Sequence, residues 1–307
     1  MSARAIRDRD FLATGSGRIR LACTHTGTGQ APVKAVYLHG LIASSRFWTP
    51  LIGAAAARLG DQVDHVAIDA RGHGRSAWPQ PRDTSDIAVL ADDLAALLDT
   101  IATAPVVMIA HSIGGHVLLE YARRHRDQFH RHIAAVLLFN AAGERPWWPQ
   151  LRPFRVAASA IRPLRRTPAD AVNAWAHAVM QKRMIAMAGR AKPGRAQLVP
   201  DLGPVDPRVT ADICTAAEAF RLDDAMLDTL GRVRVHVVGA QFDAVVPPDQ
   251  TRQLAAAIPG ARLDIVDRVG HSLPHAHPFI AADLVAEAVE SLRLTPGPTE
   301  YSAGASC

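Results

Sequence analysis

"PVVMIAHSIGGHVLLEYARR", residues 105–124, decides how this chain is read. Val106, Val107, Met108 and Ile109 form an apolar run of buried-strand length, after which Val117, Leu118 and Tyr121 recur at helical spacing. Ser112 stands at the junction, between Ala110-His111 and Ile113-Gly114. A serine there has two readings. It can be a helix N-cap, its hydroxyl accepting from free first-turn amides. Or it can sit on a sharp strand-to-helix elbow that holds its hydroxyl exposed on a strained backbone.

The second reading requires a base, because a serine hydroxyl is a poor nucleophile until its proton is removed. Two downstream residues are suited to that task. Asp243 lies in "VVGAQFDAVVP", just past a β-like run, and His271 lies in "DIVDRVGHSLP", again after a strand. Ser112, Asp243 and His271 thus fall in the order nucleophile, acid, base, each at a strand's C-terminal end. Any one of the three alone reads as a cap, turn or solvated residue; together they read as a catalytic set.

Strand candidates at 34–38, 63–68, 105–110, 133–139, 233–239 and 262–266 alternate with helical stretches near 46–59, 85–102, 114–126, 249–257 and 278–293, behind an opening hairpin near 11–24. That alternation predicts an α/β fold with a mostly parallel central sheet and helices on both faces. Between 141 and 220 strands give way to "RPWWPQLRPF", "RPLRRTP" and the helical "AVNAWAHAVMQKRMIAM", which reads as an inserted helical cap. The expected division is therefore core 1–140, cap 141–220, core 221–294 and a disordered tail 295–307. Trp147, Trp148 and Trp175 of the cap, with Met180, Met184 and Met187, suit either helix packing or the wall of an apolar pocket.

The chain has 307 residues, 49% of them apolar, and its longest apolar runs are far too short to span a bilayer. Three scattered cysteines, Cys23, Cys214 and Cys307, imply no disulfide framework, and the N-terminus has no hydrophobic signal core; both fit a cytoplasmic protein. Charge is unevenly distributed. Residues 141–200 carry eleven Lys/Arg against Glu144 and Asp170, a net of +9, and the remainder nets −4. That polarity fits either a solvated face or a surface attracting an anionic substrate or carrier. Aromatic interleaving of a nucleic-acid binder is lacking, so no nucleic-acid partner is expected. His39, His73, His111 and His116 match no metal-ligand spacing, and "DARGHGRS" (69–76) lacks the Lys-Ser/Thr of a phosphate loop, so neither metal nor cofactor is expected.

With these motifs in view, the chain resembles the serine-nucleophile branch of the α/β-hydrolases that carry an inserted cap, over residues 11 to 293 with the cap itself unmatched. "YLHGL" (37–41) is similar to that family's oxyanion loop, "DARGHGRS" to its loop after the next strand, "AHSIGG" to its elbow, and "GAQFDAVVP" and "GHSLPHAHP" to its acid and base loops. Ala110 stands where the family more often has glycine, and Ala276 where many members have glutamate. The resemblance implies an α/β-hydrolase fold, a catalytic Ser112-His271-Asp243 set, and an oxyanion hole from the N–H groups of Leu41 and Ile113. It also implies substrate contacts near His39, Gly40 and His111, and a cap over the pocket would add Trp147, Trp148 and Trp175. The expected activity is hydrolysis of a small-molecule carboxylic ester or thioester with an apolar acyl group. Carbon–carbon hydrolysis, cofactor-free perhydrolysis, acyl transfer or cyclisation stay open on the same set, as does a non-catalytic ligand receptor.

Overall fold

The computed structural model describes residues 6–13, 19–80, 83–144 and 204–293. The expected cap tryptophans and methionines lie outside these residues, as do most of the 141–220 segment and the 295–307 tail. One eight-stranded sheet organises the described chain: β1 (Ile6–Ala13), β2 (Ile19–Thr26), β3 (Val33–Leu38), β4 (Val63–Ile68), β5 (Val106–His111), β6 (Ile133–Phe139), β7 (Arg234–Ala240) and β8 (Arg262–Val266), in the order β1-β2-β4-β3-β5-β6-β7-β8. β1 and β2 pair antiparallel, β2 is antiparallel to β4, and every pairing from β4 to β8 is parallel. The mostly parallel sheet expected above is present.

Nine helices are described: α1 (Thr49–Leu59), α2 (Ile87–Ile101), α3 (Ile113–Arg124), α4 (Arg126–His132), α5 (Pro207–Ala219), α6 (Asp224–Leu230), α7 (Pro248–Ala257), α8 (Leu273–Ala276) and α9 (Pro278–Arg293). Local chemistry starts them. Asp86 caps α2 by accepting from the Val89 N–H at 3.0 Å, and Asp206 caps α5 with Pro207 behind it.

Strand alternation divides the core into two layers. Val106, Met108 and Ala110 of β5 join α2, α3 and α5 on one face, whereas Val107 and Ile109 join α1 and α9 on the other. All six residues of β5 are buried, as a central parallel strand covered on both sides requires. Each fully buried Val or Leu contributes about 1.5–3 kcal/mol of transfer free energy. Val209, Ile213 and Ala217 of α5 belong to the α2/α3 layer, so the chain returning from the expected cap ends inside the core. It is also pinned to the 69–76 loop: the Gly74 N–H donates to Pro204 O at 2.9 Å, the Asp206 N–H to Gly72 O at 2.7 Å, and His73 bridges Val205.

Every described non-glycine residue with positive φ lies beyond a strand's C-terminal end: Ile42 after β3, Ser112 after β5, Asn140 after β6 and Arg268 after β8. That edge carries the candidate site.

Candidate active site

Ser112 has φ 53° and ψ −121°, and its side chain makes no capping hydrogen bond to α3. An N-cap has extended backbone and uses its oxygen on the N2 or N3 amide. Ser112 does neither, so the capping reading fails. The conformation is one that L residues rarely adopt, costing about 1–3 kcal/mol. Surrounding structure enforces it: the Ser112 N–H donates to Phe139 O of β6 at 3.0 Å, and the Gly115 N–H to Ser112 O at 2.9 Å.

Two glycines allow the elbow its neighbours. A Cβ on Gly114 would lie 2.7 Å from Leu38 O and 2.8 Å from His39 O, so only glycine lets the first turn of α3 press against the loop after β3. A Cβ on Gly40 would lie 2.9 Å from His111 Nδ1 and 3.3 Å from Ser112 Cβ. The loop carrying Gly40 and Leu41 therefore lies directly against the elbow carrying Ser112 and Ile113. His39 holds that loop: one ring nitrogen pairs with Gly40 O at 2.8 Å, and the other accepts from the Ala70 N–H at 3.1 Å. Burial, against the smaller opposing influences of Gly40 O and Asp69, lowers its pKa. Both nitrogens of His39 thus serve the backbone.

Asp243 and His271, 28 residues apart, meet at 2.8 Å between Oδ2 and Nδ1. The Asp243 side chain is fully buried and takes four donors. Oδ1 accepts from the N–H groups of Val245 and Val246, at 2.8 and 2.9 Å, and Oδ2 from His271 and from Asn140 Nδ2, also at 2.8 Å. With Nδ1–H donating to the carboxylate, the His271 Nε2 lone pair is left to accept a proton. The described hydrogen bonds include none between Ser112 Oγ and the His271 ring.

Asn140 escaped the sequence reading. It is fully buried, sits at φ 50° and donates to Asp243. The one signal was an asparagine directly after the apolar run 133–139, since asparagine tolerates left-handed backbone better than most residues. Phe47 was missed too: its ring stacks on His111 at 4.5 Å and on His275 at 5.6 Å.

Beneath the Gly40 loop, on the α2/α3 face, lies a cavity of about 40 Å³ lined by Leu38, His39, Gly40, Leu94, Ile113 and Val117 among others. At its edge the buried Arg71 and Asp93 pair through two 2.5 Å contacts. Among the described residues no group of three or more His, Cys, Asp or Glu is arranged to hold a metal ion, and no helix is long and apolar enough to cross a membrane.

Residues 35–287 match the family model described as "Alpha/beta hydrolase family". The lipase LipV of Mycobacterium tuberculosis is 37% identical over 111 residues, which are 36% of this chain and 38% of the lipase. The 2-(acetamidomethylene)succinate hydrolase of Mesorhizobium japonicum is 31% identical over 112 residues, 36% of this chain and 37% of that enzyme. Each match spans little more than a third of the relative's length. Among solved structures, a thermophilic esterase from Thermogutta terrifontis superposes with a TM-score of 0.69 at 22% identity, covering 93% of this chain and 99% of that one. An enol-lactonase from Burkholderia xenovorans gives 0.64 at 24% identity, covering 91% and 100%. At such identities the shared property is the fold.

Proposed function

The chain belongs to the alpha/beta hydrolase family, and from that premise we propose that it is a serine hydrolase of carboxylic esters or thioesters with an apolar acyl group. The carrying observation is a serine hydroxyl on strained backbone, not used for capping, at the same sheet edge as a histidine oriented by a buried aspartate. In this reading Ser112 Oγ attacks the carbonyl carbon while its proton passes to His271 Nε2. Asp243 holds the ring in the tautomer that can accept it and stabilises the imidazolium.

The carbonyl electron pair moves onto oxygen, where the N–H groups of Leu41 and Ile113 would receive it; the N-terminus of α3 adds positive potential at the same point. Loss of one such donor costs about 3–4 kcal/mol of transition-state stabilisation. Collapse breaks the bond to the alcohol or thiol, which leaves with the proton from His271. Water, deprotonated by the same ring, then hydrolyses the acyl-serine and returns the proton to Ser112 Oγ.

The lipase among the relatives supports an ester substrate. The net +9 of residues 141–200 supports an anionic substrate or carrier, such as a coenzyme A or carrier-protein thioester. We assign the 141–220 segment, apart from α5 with its residues packed in the core, to a cap that selects the acyl group, with Trp147, Trp148 and Trp175 at its pocket. The test is turnover of p-nitrophenyl esters and acyl-CoA thioesters of increasing chain length by wild type and Ser112→Ala. The reading expects Ser112-dependent hydrolysis with a chain-length optimum, and thioester activity that weakens with salt. Equal turnover by the two proteins, or none by wild type, contradicts it.

A further inference from the structure

Resting on the serine-hydrolase reading, we propose that His111 is a positioning residue, whose ring ties the base loop to the nucleophile elbow and so sets the His271 ring relative to the Ser112 hydroxyl. His111 is the last residue of β5, so its backbone runs directly into Ser112. Its side chain points away from the elbow turn to the segment 160 residues on, where Nε2 donates to the His271 carbonyl at 2.8 Å. The two rings lie 4.7 Å apart.

That hydrogen bond fixes the tautomer. With the proton on Nε2, Nδ1 carries only a lone pair, and it is buried without a hydrogen-bond partner against Gly40. One imidazole thus touches three loops: the elbow it belongs to, the loop of Gly40 and Leu41, and the loop of His271. Its orientation is fixed by rings on several sides. Phe47 stacks on it at 4.5 Å and 26°, and Trp48 meets it edge-on at 6.3 Å. Phe47 is held in turn by His275, whose Nδ1 donates to Phe47 O at 2.9 Å.

Burial first, then the neighbouring His271 and His39 rings, holds the His111 pKa well below the ordinary histidine value. The ring therefore stays neutral while His271 cycles through its protonated form, and places no second cation beside it. The residue is 4% exposed, which leaves it little surface for a substrate. What it governs is the Cα of His271, two bonds from the carbonyl oxygen it grips. Displacement of a reacting group by about 1 Å can cost 100-fold in rate.

Methionine and glutamine have similar length and volume, but only glutamine offers an N–H to the His271 carbonyl. The experiment compares wild type, His111→Met and His111→Gln for fluorophosphonate labelling at Ser112 and for ester kinetics, with thermal melts in parallel. The expected result is a fall of about 10- to 100-fold in kcat and in maximal labelling rate for His111→Met, with KM within about twofold, and recovery to within about threefold in His111→Gln. Should the methionine variant not fold, His111→Phe removes the donor while keeping a ring against Phe47. Wild-type labelling at Ser112 together with an unimpaired donor-free variant, or glutamine as impaired as methionine, overturns the positioning role alone. A wild type that takes no label at Ser112 overturns the serine-hydrolase reading and the positioning role with it.

Discussion

The two ends of the sheet differ in which residues take positive φ among the described residues: only the C-terminal edge uses ones that bear side chains. At the C-terminal edge four residues that bear side chains, Ile42, Ser112, Asn140 and Arg268, take positive φ alongside Gly72 and Gly74. At the N-terminal edge the chain bends through Gly27, Gly29, Gly60 and Gly260, where positive φ carries no Cβ penalty. The charges differ as well. The C-terminal edge holds an aspartate–histidine pair with the histidine ring partly open, whereas the N-terminal edge closes over Asp64. That buried carboxylate accepts from the half-buried Gly29 N–H, the Ala31 N–H and the buried Lys34 Nζ. One edge maintains strain and an accessible proton acceptor, and the other is satisfied and inert. A fold can bear strained residues at its working end because the sheet and helices beneath over-determine them.

The sharpest break between the ends comes from Asp243→Asn. It preserves shape but loses the ionised acceptor for His271 Nδ1–H, and kcat for ester hydrolysis should fall about 10⁴-fold. At the other end, Asp64→Ala leaves Lys34 and two backbone amides buried without their carboxylate. Urea unfolding should show a loss of about 3–5 kcal/mol, with turnover per folded molecule unchanged. If Asp64→Ala instead abolished turnover in folded protein, the two ends would not be separable.

Acid should distinguish them next. His116, in the first turn of α3, is pushed down to about 4 by burial. An unfolded histidine takes its proton near 6.5, and this one refuses it until about 4. The folded state therefore loses stability as pH falls from about 6.5 to 4, by about 3 kcal/mol. Burial alone would raise Asp64, but the Gly29 and Ala31 amides, Lys34 and His25 outweigh it and lower its pKa. Its contribution is present above the ordinary carboxylate range and is lost only as pH falls below that range. Denaturation followed against pH should thus weaken first through α3, and His116→Gln should flatten the slope between pH 6.5 and 4.

The smallest effects are the backbone ones. Ser112→Gly should raise stability by about 1 kcal/mol while abolishing turnover, because glycine adopts φ 53° freely. Gly260→Ala, with φ +72° and open space around the new methyl, should cost about 1 kcal/mol and leave turnover intact. Melting temperatures moving the same way in both would erase the contrast.

Much of this was legible before any coordinates. The candidates at 63–68, 133–139 and 262–266 are strands with those limits; 133–139 announces itself as the uninterrupted apolar sequence of a buried parallel strand, while Asp64, His65 and Asp264 interrupt the other two. The order of Ser112, Asp243 and His271 was readable from strand ends. The short helices α4, α6 and α8 were not, since seven or four residues are too few to display a helical period. Asn140 and His111 could not be assigned partners either, because their hydrogen bonds join residues 103 and 160 apart and exist only once the strands are in register. Gly114 reads in the sequence only as a small residue at the elbow, yet its role is to let two backbones touch.

The account rests on Ser112 being the nucleophile. The most direct measurement is peptide mapping of the protein after reaction with a fluorophosphonate probe, in wild type and in Asp243→Asn. The account predicts one adduct, on Ser112 in the peptide spanning "AHSIGG", formed rapidly by wild type and slowed by orders of magnitude in the variant. No adduct in folded wild-type protein, or an adduct on another residue, would contradict it.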